Sequence, residues 1–193
     1  MRLGATAGQD DAKALLEQAA FTQESATVVV FDFAAVETVN ASYLRATVLW
    51  LLRAGMAFVK LEEEGGRAEA GGIPPLNAIP AVANVCDEVM DDLSTLLLSE
   101  GVPLLLVERA DGPSVGRCLG PLDRSLRKTL AALAKTRSAT ASMLCEQFPE
   151  RPAIKPPAWS NRLSELYRLR LVGREREGRQ WRYASVALEV QFG

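Results

Sequence analysis

The chain has 193 residues, 48% hydrophobic and 24% charged, with three cysteines far apart, the composition of a folded globular protein with reduced thiols and no disulfide or zinc framework. It contains no histidine, which excludes Ser-His-Asp and Cys-His nucleophiles, histidine acid–base chemistry and most transition-metal sites. The net charge of −2 conceals two opposed halves: residues 1–120 hold 8 Lys and Arg against 17 Asp and Glu, a net of −9, and residues 121–193 hold 14 against 7, a net of +7. A polyanion is attracted to the second half and repelled by the first.

The length suits two domains of about 70–120 residues, each with a core of its own. A glycine- and proline-bearing linker is expected at 111–120, between domains at 1–110 and 121–193. The longest apolar runs, such as 96–98 and 104–107, fall far short of a membrane span. The N-terminus meets Asp10 and Asp11 without the apolar core of a signal peptide, so a cytoplasmic protein with no membrane contact is expected.

In chain order, residues 10–21 place Ala14, Leu15 and Ala19 at helical spacing. Thr27-Val28-Val29-Val30-Phe31-Asp32-Phe33 reads as a strand buried on both faces. Residues 43–54 put Leu44, Val48, Leu51 and Leu52 on one helical face, and Phe58-Val59-Lys60-Leu61 reads as a further strand. Glycines and glutamates make 62–78 a loop. From Ala81 to Ser99, apolar positions recur every three or four residues, the pattern of a long amphipathic helix ended by Gly101 and Pro103. Leu104-Leu105-Leu106-Val107 is another buried strand. The alternation predicts an α/β fold with helical cover on a parallel or mixed sheet.

The stretch from Val30 through Glu37 to Leu44 resembles the STAS fold of anti-sigma factor antagonists and its STAS-like bacterial relatives. In that family the strand leads to an Asp-Ser-Ser-Gly-Leu turn whose second serine is phosphorylated. Here the turn stands as Asn40-Ala41-Ser42-Tyr43-Leu44, so the resemblance implies Ser42 as a phosphorylation or partner site. The residues alone also fit a plain helix cap by Asn40 or Ser42.

Beyond Gly120, Leu122, Leu126, Leu130 and Leu133 line a helix with Arg124, Arg127 and Lys128 on its solvent side. Thr140 caps a second helix, whose Met143, Leu144 and Phe148 turn inward. A third helix buries Leu163, Leu166 and Leu169 and exposes Ser160, Asn161, Arg162, Ser164, Glu165 and Arg168. Asn and Arg can each bond a purine edge twice, and Ser reaches phosphate or base. A hairpin then turns at Glu177-Gly178. Arg174, Arg176, Arg179 and Arg182 are expected on one face of it and Trp181 and Tyr183 on the other, with Trp159 and Trp181 read as core residues.

This order is similar to the winged helix-turn-helix regulators of the MarR and ArsR type, a small α+β domain. The resemblance implies duplex DNA as partner, held by the third helix and the wing, and a homodimer, since one winged helix reads few base pairs. The expected protein is a non-enzymatic regulator with no cofactor, no metal and no catalytic residue, whose STAS-like unit binds a protein partner or signal. One alternative is a protein–protein adaptor in a kinase-linked or defence assembly. Another is an enzyme in which Asp10, Asp11 and Asp32 hold a metal. The terminal segment from Leu188 is assigned no role.

Overall fold

The structure is a computed structural model that describes residues 2–19, 21–66, 73–108, 115–149, 153–187 and 189–192. The fold is mixed α/β. Its frame is a five-stranded sheet of β2 (Thr27–Asp32), β4 (Ala78–Ala83), β5 (Leu104–Val107), β6 (Val115–Leu119) and β10 (Glu189–Phe192), in the spatial order β10-β6-β5-β4-β2. Only the β5–β6 pair is antiparallel. A two-residue parallel pair joins β1 (Arg2–Leu3) to β3 (Thr38–Val39).

Successive residues of a strand point to opposite faces, and here both faces are apolar. On one, Val82, Leu104 and Leu119 share a buried cluster with Leu44, Val48 and Leu52 and with Val89, Leu93 and Leu97. These come from a helix that starts as α2 (Ala41–Leu44), passes through a π turn at Arg45–Leu49 and continues as α3 (Trp50–Glu63), and from α4 (Asp87–Glu100). At the π turn the Thr47 hydroxyl donates to the Tyr43 carbonyl at 2.8 Å. Helix α1 (Ala5–Gln18) lies against this turn. A Cβ at Gly8 would stand 3.0 Å from that of Ala46, so glycine permits the approach. The Tyr43 hydroxyl donates to Asp11 Oδ2 at 2.7 Å and ties the two helices together.

On the opposite face, Ala81, Ala83, Leu105, Val107, Cys118 and Val190 share one buried cluster with Leu130, Leu133, Leu144, Trp159, Leu163, Leu166 and Tyr183. The second half of the chain therefore covers the sheet. It comprises α5 (Arg124–Thr136), β7 (Ser138–Thr140), α6 (Ala141–Gln147), α7 (Pro156–Arg168), β8 (Val172–Glu177) and β9 (Gln180–Ser185), with the three strands forming an antiparallel sheet in the order β7-β9-β8. The unit is inserted between two strands of the larger sheet, because β10 returns to lie parallel to β6. Burial pushes the thiol of Cys118, inside the shared core, up to about 11, so it stays protonated at neutral pH.

Several sequence expectations are corrected. The strand expected at Phe58–Leu61 is the end of α3, whose buried Leu51, Leu52, Gly55 and Val59 keep helical spacing. Ala78, the last residue of the expected 62–78 loop, and Ala81–Ala83, the first three of the expected 81–99 helix, belong to β4, an alanine-rich strand. It tolerates Pro80 because its ladder to β5 begins only at Ala81, so the missing N–H removes no sheet bond. Residues 115–119 of the expected linker are a strand of the main sheet, and Glu189–Phe192 is one of its edge strands. The other edge is β2, expected to be buried on both faces but only half-buried, with Val28 44% exposed, because among the described residues no strand pairs with it beyond β4. Residues 111–114 of that linker lie outside the described residues. Among the described residues no helix is long and apolar enough to cross a membrane.

The cluster on the second face of the sheet is built from both halves of the chain, so the halves are expected to unfold together. Leu133→Ala, which empties a fully buried position, is expected to cost about 2–5 kcal/mol. In urea titrations, far-UV circular dichroism and tryptophan fluorescence should report the same single transition, shifted as a whole. Two separate transitions, only one of them displaced, would contradict the shared core.

Candidate nucleic-acid interface

Helix α7 begins at Pro156 and Pro157, where a missing N–H costs nothing and a fixed φ favours the first turn. Trp159, Leu163, Leu166 and Tyr167 are buried on one side. Ser160 and Asn161 are exposed on the other. They line an open groove of about 440 Å³ between the start of α6 and the hairpin, together with Ser142, Arg179, Gln180 and Trp181. Arg162, Ser164 and Glu165, also assigned to the exposed face, are half-buried, and Ser164 Oγ stands 3.1 Å from the Tyr183 hydroxyl. The Arg162 guanidinium stands 5.8 Å from the Trp159 ring centre.

The hairpin turns at Gly178, with φ 58°, one residue later than expected. Its register sets Arg174 opposite Tyr183, Glu175 opposite Arg182 and Arg176 opposite Trp181. Directly opposed residues share a face. Arg174 and Arg176 therefore lie with the aromatic residues, not against them, and Arg182 lies on the other face with Glu175 and Glu177. This corrects the expectation of four arginines on a single face. Trp159 is core as expected, at 1% exposure, whereas Trp181 is half-buried under Arg174 and Arg176, whose guanidiniums lie 4.1 and 4.8 Å from its ring centre.

Three residues assigned to DNA meet carboxylates of the chain. Arg182 grips both Glu177 oxygens at 2.9 Å. Arg168, at the end of α7, donates through Nε to both oxygens of Glu63 at 2.9 and 3.2 Å. Arg174 is sandwiched between Tyr167 and Trp181, 4.1 Å from each ring centre, with Nη2 3.0 Å from Glu62 Oε2. The Tyr167 hydroxyl donates to the same Glu62 oxygen at 2.9 Å. Burial first, and then this hydrogen bond, pushes the Tyr167 phenol up. Glu62 and Glu63 end α3, so the acidic half supplies the anions that hold the basic half in place.

The deepest tie is one that sequence reasoning missed. Arg170 follows α7 in the left-handed region, φ 57°, and is 1% exposed. Its Nε donates to the Ala78 carbonyl at 2.7 Å and its Nη2 to Asn77 Oδ1 at 2.9 Å. Ala78 precedes the start of the β4–β5 ladder, so its buried carbonyl needs another donor. Arg170 supplies it. Gly55 on α3 leaves the space: a Cβ there would stand 2.6 Å from that oxygen and 3.0 Å from Arg170 Nε. The only local signal was the apolar setting Leu169-Arg170-Leu171-Val172, which is where an arginine with a buried task would sit.

The other assigned positions lie elsewhere. Ser42 is exposed, its Oγ donating to Asn40 Oδ1 at 2.7 Å, while that oxygen also accepts the Tyr43 amide at 2.9 Å. Asn40 is therefore the helix cap. Asp11 is engaged by Tyr43, and Asp32 Oδ1 accepts from Asn84 Nδ2 at 2.8 Å and the Ala34 amide at 2.9 Å, which holds its carboxyl below the usual range. Among the described residues no three His, Cys, Asp or Glu side chains gather as a metal site. No family model, curated protein or solved structure matches the chain.

Arg170→Ala leaves two buried acceptors unpaired, and the expected loss of stability is about 2–4 kcal/mol. Gly55→Ala should lower stability through the same contact, by forcing Arg170 off the Ala78 carbonyl. Urea midpoints of both variants check this, and an unchanged midpoint for Arg170→Ala would contradict the role given to that side chain.

Proposed function

We propose that this chain is a non-enzymatic, DNA-binding regulator in which residues 121–187 act as a winged helix, α7 as the reading helix and β8–β9 as the wing, while the acidic half acts as a STAS-like regulatory unit. The observation that carries this reading is the succession α5-β7-α6-α7-β8-β9 closed by an antiparallel β7-β9-β8 sheet, in a half-chain of net charge +7. That order and sheet support reading the unit as a winged helix, and α7 exposes Ser160 and Asn161 beside an open groove.

In this reading Asn161 bonds base edges, Ser160 reaches phosphate or base, and Arg176 and Arg179 follow the backbone. Arg162 stays near the Trp159 edge of the helix. Arg174 is structural, since it is enclosed. Arg168, half-exposed, exchanges Glu63 for a phosphate. A homodimer on two half-sites follows from the few base pairs one such unit reads, and Ser42 remains the proposed partner or phosphorylation position. A second reading, a protein adaptor, is favoured by one observation: Arg168 and Arg174 already bind carboxylates.

Fluorescence anisotropy with duplex pools, at several salt concentrations, separates the two. Affinity should fall steeply with salt, each phosphate contact adding about 0.9 to the log–log slope. Asn161→Ala is expected to remove about 1–3 kcal/mol of discrimination at particular base pairs, whereas Arg179→Ala weakens all sequences alike. Glu63→Gln releases Arg168 Nε and leaves it only the 3.3 Å contact of Nη1 with Glu165, so it should tighten binding and steepen the slope by up to about one contact. Absence of binding at low salt by the wild type and by Glu63→Gln would leave the adaptor reading.

A further inference from the structure

We propose that the groove between α5 and the start of α7 is a docking site for an acidic amphipathic helix of a partner protein. This groove, about 340 Å³, is lined by Lys128, Ala131, Ala132 and Lys135 of α5 with Phe148 and Trp159, and it shares no residue with the groove beside Asn161. The proposed DNA surface therefore does not use it.

The spacing defines the occupant. Lys128 and Lys135 are exposed and seven residues apart on one helix, so they stand on the same face about 10 Å from each other. Between them lie Ala131 and Ala132, whose small side chains let a second backbone approach closely. The accessible floor is apolar, with Ala131 and Phe148 half-buried and Pro149 exposed, above Ala132 and Trp159, which are themselves closed off. A helix with carboxylates seven residues apart and apolar side chains three and four positions after the first places each carboxylate on a lysine and the apolar pair on the floor. This is helix-in-groove recognition with charge complementarity at both ends of the contact. A nucleic-acid backbone fits less well, because phosphates want a row of donors and the floor between the two ammonium groups offers carbon.

The probe is a labelled synthetic helix of fourteen residues with Glu at its positions three and ten and Leu at six and seven, titrated against the full chain by anisotropy. Saturable binding is expected, at least tenfold weaker to the Lys128→Glu/Lys135→Glu variant. A peptide with Lys in place of both Glu should reverse that preference. Circular dichroism of the variant should match the wild type, as both lysines are exposed. The proposal is overturned by absence of saturable binding to the wild type, or by equal binding to wild type and variant. Two further results would also overturn it. Tenfold weaker duplex DNA binding by the variant with unchanged peptide binding would make the groove a nucleic-acid surface. A dimer that the variant converts to a monomer in sedimentation would make its occupant a second copy.

Discussion

A parallel strand is apolar on both faces, and a sheet of such strands must be covered twice. Here α2–α3 and α4 cover one face and the basic half of the chain covers the other. Much of the architecture follows from that requirement. Helix α5 is pinned to the sheet, β10 closes the sheet only after the inserted unit is complete, and the acidic and basic halves become two sides of one core. Opposite net charges then act over side-chain distances, where screening is weakest.

The contacts between the halves differ in kind. Arg170 is buried and satisfies a backbone carbonyl that the sheet leaves over, so it fixes where α7 ends relative to β4. Arg174, enclosed between two aromatic rings and Glu62, fixes the base of the hairpin. Arg168 and Glu63 meet nearer to solvent, with side chains 51% and 34% exposed. A pair so exposed contributes little to stability and is open to exchange. The buried ties position the α7–hairpin surface, and the exposed one is the contact that the proposed function has exchange for a phosphate.

Local chemistry made part of this legible. The leucines at 104–107 are a strand because any buried strand looks like them, whereas the β-branched run at 27–32 is a strand on propensity alone, since it lies at the sheet edge, half-buried to exposed. The second half could be read almost element by element, since its caps and periodicity are local: Thr140 accepts the Met143 amide as a cap should. The remainder depends on partners distant in sequence. Ala78–Ala83 is a strand because β2 and β5 flank it, and its Val82 falls in phase with the helical pattern at Val85, Cys86 and Val89. Phe58 and Val59 have strand propensity that the packing of α3 overrides. Val115–Leu119 and Glu189–Phe192 are short and partly polar, and only their pairing reveals them. For the candidate site, Ser160 and Asn161 were legible from helical periodicity. The engagement of Arg168, Arg174 and Arg170 was not, because their partners lie more than 90 residues earlier.

In the proposed reading, the sheet and the basic half form one body that presents the start of α7 and the hairpin tip to duplex DNA. Hydrogen–deuterium exchange of the full chain, with and without a selected duplex, tests it most directly. DNA should protect residues 156–164 and 174–182 while β4 and β10 exchange as slowly as before. Protection confined to residues 1–120, or a loosening of β10 when DNA binds, would contradict it.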